Sequence, residues 1–325
     1  MPLALCCMSH TPLLELTSPR PELKAEVMDA LGRAREFVAD FDPGLVVLFV
    51  PDHYNGFFYR LMPPFCIGTS ARTVGDYGTP AGELDVPGDI AASCAEAVLA
   101  AGVDVSVSHD MILDHATAQP LAILFAALDA RPVIPVFVNS AAPPLAPIGR
   151  TRRLGAAVGQ FLASRPERVL VAGSGGLSHD PPVPSLDTAP PDVAERLVNG
   201  RELTRAEQER KVAGAIATGR ALAAGSSDRI DLDPDWDRAF LDLMASGSLD
   251  SIDSWSNADI ARHGCGAHEI RTWVAAYAAL AAAGPYDVTY SFYRPVPEYI
   301  AGFAVTSAMP AADVALSGRV GEGAR

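Results

Sequence analysis

Short, unbroken apolar runs alternate along the chain with longer amphipathic stretches, and this alternation predicts the elements. Leu45–Val50 (LVVLFV) holds only Val, Leu and Phe. A run of that kind reads as a strand buried on both faces, as in a parallel sheet covered by helices. Leu3–Met8 and residues 169–172 read the same way. So do residues 132–138, although the internal Pro135 predicts an irregular or edge position there. Residues 22–41 carry Leu23, Val27, Leu31, Ala34 and Val38 at helical spacing, and 89–101, 117–129, 152–164 and 268–283 also read as helices. A short strand is expected over 103–107 and late strands over 286–292 and 300–306. Strands alternating with helices of this length imply βαβ units. The predicted fold is therefore α/β, a mostly parallel or mixed central sheet flanked by helices.

Two stretches depart from the alternation. Residues 56–83 are rich in Phe, Tyr, Pro and Gly, too apolar for disorder, and read as an ordered pocket wall. From about 190 to 264 the strand-like runs vanish and charge rises. ERLVNGRELTRAEQERKVAGAIATGRAL reads as one or two solvated helices. This helical elaboration in the C-terminal half would act as a lid or a subunit contact. No Gly/Ser linker sets it apart, so residues 1–325 are expected to form a single domain that includes it.

Composition narrows the function classes. At 325 residues, with 49% hydrophobic and 20% charged residues, the chain can bury a large core. Its net charge of −14 argues against nucleic acid and, more weakly, against anionic membranes. No apolar stretch approaches the roughly 18 residues of a membrane span. The first apolar run lacks the basic residues and the length of a signal peptide. Cys6, Cys7, Cys66, Cys94 and Cys265 are odd in number and show no CxxC spacing, which predicts reduced thiols in a cytoplasmic protein.

Histidines stand where the apolar runs stop. Val50 is followed by Pro51, Asp52 and His53, Met8 by Ser9 and His10, and the 169–172 run by a Gly-rich turn, Ser178 and His179. In an open α/β sheet, ligands sit beyond the carboxyl ends of the strands. An imidazole packed on loop backbone is the commoner reading of each one alone, but the three together favour a site. His10 and His53 are metal-ligand candidates, since imidazole suits Fe, Zn or Cu. Glu269 could complete the set as a carboxylate or simply complement the dipole of the helix it opens. Two histidines and a carboxylate leave positions open for a substrate and O₂. His115 and His179 are candidates for general acid and base. Other signatures fail: Thr272 stands where HExxH needs its second histidine, and GSGG continues neither as GxGxxG nor as a nucleophile elbow. His109 and His263 read as solvated.

CMSHTPLL, VVLFVPDHYNGFFYRLMPPFCIG, DHATAQPL, VLVAGSGGLSHDPPVP, HEIRTWVAAYAAL and YRPVPEYIAGF together resemble the class III extradiol ring-cleavage dioxygenases. The resemblance runs along almost the whole chain and is loosest over about 190–264. It implies one Fe(II), a homo-oligomer, and O₂-dependent cleavage of a small-molecule catechol next to one hydroxyl. It also implies that His10, His53 and Glu269 hold the iron and that His115 and His179 act as acid and base. Ala116-Thr117 departs from the Gly-Phe of the family pattern, which predicts an altered pocket wall. Two other readings compete: a zinc hydrolase on the same ligand set, and a binding protein of the same fold without catalysis. The latter should have lost a site residue, and all five are present.

Overall fold

The runs Leu3–Met8, Leu45–Val50, 132–138 and 169–172 each form a strand with both faces covered. The computed structural model describes residues 3–311, so the expected 1–325 span extends past it at both ends. In chain order the elements are β1 (Leu3–Met8), α1 (Pro21–Phe41), β2 (Leu45–Val50), β3 (Phe65–Gly68), β4 (Ala71–Val74) and β5 (Ala81–Glu83). Next come α2 (Gly88–Ala100), β6 (Ser106–Ser108), β7 (Met111–Leu113), α3 (His115–Phe125), β8 (Val133–Val138), α4 (Ile148–Leu162) and β9 (Val169–Ser174). The chain continues through α5 (Pro191–Asn199), α6 (Arg205–Ala223), α7 (Pro234–Ser246), α8 (Asn257–Ala261), α9 (Ile270–Ala281), β10 (Tyr286–Val296) and β11 (Ala301–Pro310).

The main sheet has the order β10-β11-β1-β9-β2-β8-β3-β6, and β5-β4-β7 form a second, small sheet. The four central strands β1, β9, β2 and β8 run parallel, while β3 against β8, β11 against β1 and β10 against β11 are antiparallel. The expected mostly parallel or mixed sheet is the observed one. Alternate residues of the central strands feed two cores. Leu3, Leu5, Val47 and Phe49 pack with Leu154 of α4 and Trp273 of α9. Ala4, Cys6, Leu48 and Val50 pack with Val27 and Leu31 of α1 and Leu121 of α3. Full burial of such side chains stabilises by about 1.5–3 kcal/mol each, which is why the runs hold no polar residue.

Several local expectations need correction. Pro135 lies in a central strand rather than at an edge, paired with Leu48 of β2. The β3–β8 ladder ends at Ile67↔Val136, and Gly68 lies against the proline ring, where a Cβ would stand 3.0 Å from its Cγ. The proline is thus placed just past the last ladder pair with β3. The 56–83 wall contains β3, β4 and β5. The helix expected from Thr117 begins at His115, because the Asp114 carboxylate caps it by accepting from Ala116 N. The 190–264 stretch is helical as expected, and among its described residues there is no strand.

Within that stretch, α6 starts with a capping box in which Thr204 and Glu207 satisfy each other's backbone N–H. Backbone bonds from Tyr59 N to Leu197 O (2.8 Å) and Arg60 N to Val198 O (2.7 Å) dock α5 onto the loop after β2. The α6 helix packs against a 3-10 turn at Pro297–Tyr299. Both helices thereby roof the carboxyl ends of the central strands.

Candidate active site

Parallel pairing sets Met8 beside Ser174 and Phe49 beside Gly173, so β1, β9 and β2 end almost level. The segments that follow carry His10, His179 and His53. Glu269 arrives from the opposite side, at the end of the 3-10 turn Cys265–Glu269 that leads into α9. It makes no side-chain cap to its own helix; instead Oε2 accepts from Gly176 N at 2.8 Å. The carboxylate points into the site rather than along the helix dipole.

The five predicted residues meet. Glu269 Oε2 is 3.6 Å from His10 Nε2, and Oε1 is 3.0 Å from His53 Nε2 and 3.4 Å from His179 Nε2. His115 joins them: the His53 and His115 rings stack at 4.8 Å, and His10, His53 and His115 offer nitrogens within 4.8 Å of one another. All five line a cavity of about 490 Å³.

Each imidazole is oriented from behind. Ser174 Oγ lies 2.9 Å from His10 Nδ1, and Asp114 Oδ2 lies 2.9 Å from His53 Nδ1. Asp76 holds His115 twice, accepting from its backbone N with Oδ1 (2.8 Å) and standing 2.7 Å from Nδ1 with Oδ2. His179 Nδ1 donates to Leu177 O at 2.8 Å. Every Nδ1 is thus engaged, and the Nε2 atoms face the cavity. Such outer partners fix tautomer and ring orientation. A single ion bonded at about 2.1 Å spaces its neighbouring donors about 3 Å apart. The His53 and His10 nitrogens, 3.0 and 3.6 Å from the Glu269 oxygens, are spaced on that order, and His10, His53 and His115 also lie close enough together to hold an ion.

The buried charges support one another. Burial pushes the His10 imidazole down to about 3; Glu269 opposes this, and His115 and His53 add to it. Burial also works against a charged His53, but Asp114 and Glu269 outweigh it and hold that imidazole well above its usual value. His179 is likewise raised, Glu269 overcoming burial. Glu269 and Asp114 stay ionised despite burial, because the histidines around each hold its carboxyl well below the usual range. Burial and the Asp114 charge together push Asp52 up to about 7.

The family model described as the catalytic LigB subunit of aromatic ring-opening dioxygenase matches residues 4–304. The chain belongs to this family. Three relatives of the LigB-type chain bear the name 2,3-dihydroxyphenylpropionate/2,3-dihydroxicinnamic acid 1,2-dioxygenase. The one from Mycolicibacterium paratuberculosis is 57% identical over 311 residues, covering 95% of this chain and 100% of the relative. That from Mycolicibacterium vanbaalenii is 58% identical over 308 residues (94% and 98%), and that from Cupriavidus pinatubonensis 53% over 313 (96% and 100%). As a member of a metal-dependent ring-opening family, the chain is an oxidoreductase. No helix among the described residues is long and apolar enough to cross a membrane.

Around the LigB-type centre, sequence reasoning missed Asp76, Asp114 and Ser174, the groups behind the imidazoles. The Gly-rich turn also does something different from cradling a phosphate. A Cβ on Gly176 would stand 2.8 Å from the His179 ring, and one on Gly266 would stand 2.2 Å from His179 Nε2. Glycine is needed where backbone closes on that imidazole. His263, read as solvated, is half-buried, stacks on Trp236 at 4.3 Å and pairs with Asp233 at 2.9 Å. His109 is exposed as expected. Ala116 and Thr117 are fully buried and do not line the cavity; Ala116 O accepts from Ser174 Oγ at 2.7 Å, so the departure lies behind His10 rather than in the wall.

Proposed function

We propose that the chain cleaves a catechol bearing a carboxylated side chain, 3-(2,3-dihydroxyphenyl)propionate, with O₂ in an Fe(II)-dependent extradiol reaction. The ring bond broken joins a hydroxyl-bearing carbon to the carbon carrying the side chain. Both O₂ atoms enter the product, 2-hydroxy-6-oxonona-2,4-dienedioate. The observation that carries this reading is the approach of His10 and His53 to the Glu269 carboxylate in one cavity that two further oriented histidines also face. The names of the relatives support the choice of substrate. In this reading residues 1–325 are one domain, with 190–264 an elaboration that roofs the cavity, and the enzyme works in the cytoplasm as a homo-oligomer.

His10, His53 and Glu269 would hold the iron through two Nε2 atoms and a carboxylate. Fe(II), when bound, supplies adjacent coordination positions for substrate and O₂ and the electron density that O₂ must receive. The protein's own groups manage the protons. With Nδ1–H committed to Asp76, His115 presents a bare Nε2 that can take a proton from a catechol hydroxyl. With Nδ1–H committed to Leu177 O and Nε2 facing Glu269, His179 is placed to hold a second proton and deliver it to the oxygen that develops charge as the ring opens. The apolar walls, among them Leu13, Val183 and Ile300, exclude water from the opened ring.

The test is anaerobic reconstitution with ferrous iron, followed by O₂ consumption and yellow product formation across substituted catechols. One O₂ consumed per catechol, with iron and not with zinc, is the expected result. Zinc-supported activity without O₂ uptake would return the site to a hydrolase.

A further inference from the structure

Among the described residues, one buried cation in the cavity wall has no carboxylate in contact with it. Arg196, on the inner face of α5, is only 8% exposed, and its Nε is buried without a hydrogen-bond partner. Nη2 donates to Tyr54 O at 2.8 Å, and Phe58 lies 5.9 Å below the guanidinium. Among the described residues no carboxylate comes within 4.0 Å of it. Of the other cations lining the cavity, Arg201 is paired with both Glu207 oxygens at 2.6 and 2.8 Å, Lys211 stands 3.9 Å from Asp76, and Arg210 is exposed to solvent. Burial, with Arg201 adding to it, depresses the Arg196 pKa, although the more distant Glu207 and Asp52 carboxylates act against this.

A buried charge is costly unless paired, and a planar guanidinium suits a carboxylate. Arg196 lines the cavity that holds His53, and its Tyr54 bond ties it to the residue next to His53. The same arginine lines a second, adjoining cavity, so it stands where the site opens outward. The rest of a chain carrying a net charge of −14 would repel an acid, so an acidic substrate needs a local cation.

We propose that Arg196 is the specificity-determining residue that receives the carboxylate at the far end of the catechol's side chain. The proposal rests on reading the site as a catechol-cleaving centre. It makes the helical elaboration a recognition wall: α5 sorts acidic from neutral catechols, while the strand ends perform the chemistry. A merely structural Arg196, tying α5 to the β2 loop, would serve both kinds of substrate equally.

Iron-reconstituted wild type, Arg196→Gln and Arg196→Lys are assayed with 3-(2,3-dihydroxyphenyl)propionate and with 3-propylcatechol, which keeps the chain and lacks the charge. Loss of a charge-assisted hydrogen bond is expected to raise KM for the acid about 10- to 100-fold in Arg196→Gln, with KM for 3-propylcatechol and kcat for both left nearly unchanged. Arg196→Lys should recover part of the loss. Equal losses on both substrates would reduce Arg196 to a structural tie. A second readout needs neither iron nor a variant: calorimetric titration of the wild type with 3-phenylpropionate and with 3-phenylpropan-1-ol. Tighter binding of the acid supports the proposal, and equal binding overturns it. A wild type that binds the acid selectively but cleaves neither catechol would refute ring cleavage while leaving the carboxylate site standing.

Discussion

Asp76→Asn should disable the site without disturbing the residues around Glu269. In the native chain Oδ1 accepts from the His115 backbone N–H at 2.8 Å while Oδ2 faces His115 Nδ1 at 2.7 Å. An asparagine in the same rotamer can meet the backbone N–H only with its oxygen. Its NH₂ must then face Nδ1, and two donors cannot share that contact. His115 can relieve the clash by moving its proton to Nε2, which blocks the atom that should accept a proton from the catechol. Flipping the amide instead sets NH₂ against the backbone N–H and loses that bond, so at most one hydrogen bond is lost. One lost buried hydrogen bond costs about 1–3 kcal/mol of stability, a small part of what a domain this size holds. The catalytic cost is larger, because removal of a general base is worth ~10² to 10⁴-fold in rate. Lys211, 3.9 Å from Asp76 and partly exposed, cannot account for such a loss, since pairs of that kind contribute about 1 kcal/mol or less. Product formation gives kcat/KM, metal analysis gives iron content, and ¹⁵N spectra of the imidazoles report the tautomer. Near-native kcat/KM in a variant that retains its iron would refute the assignment of His115 as base.

His10→Ala, His53→Ala and Glu269→Ala should each abolish iron retention; iron content near wild type in any of them removes that residue from the ligand set. His179→Gln should keep iron and lose ~10² to 10⁴-fold in kcat, as expected for a lost acid, with one limb of the pH profile gone. Gly266→Ala should lower kcat with iron retained, because its methyl would lie 2.2 Å from His179 Nε2 and must displace that ring; unchanged kcat would show that the ring has slack. Exposure to peroxide should inactivate the enzyme, and ferrous iron with a mild reductant should restore it; activity that survives quantitative oxidation would point to a redox-inert metal.

What could be read from the sequence was whatever chemistry writes into a contiguous run. LVVLFV announces a two-faced strand because burial on both sides admits no polar residue, and a histidine just past such a run is conspicuous. The three- and four-residue strands β4, β5, β6 and β7 were partly or wholly hidden, because segments that short carry little periodicity and lie among Pro and Gly. Pro135 misled because the relief that Gly68 provides comes from another strand. Asp76 and Asp114 are ordinary loop acids until folding sets them behind His115 and His53. Arg196 looked like one more solvated charge on an amphipathic helix; only the docking of α5 onto the β2 loop turned that face inward.

The contacts from Tyr59 N to Leu197 O and Arg60 N to Val198 O join main chain to main chain; among the α5 side chains, the buried Leu197 and Arg196, bonded to Tyr54 O, tie the helix to the loop after β2. The histidines, by contrast, follow strands locked about 4.8 Å apart, where a shift in one displaces the others. A substitution on the cavity face of α5 would therefore leave that spacing untouched.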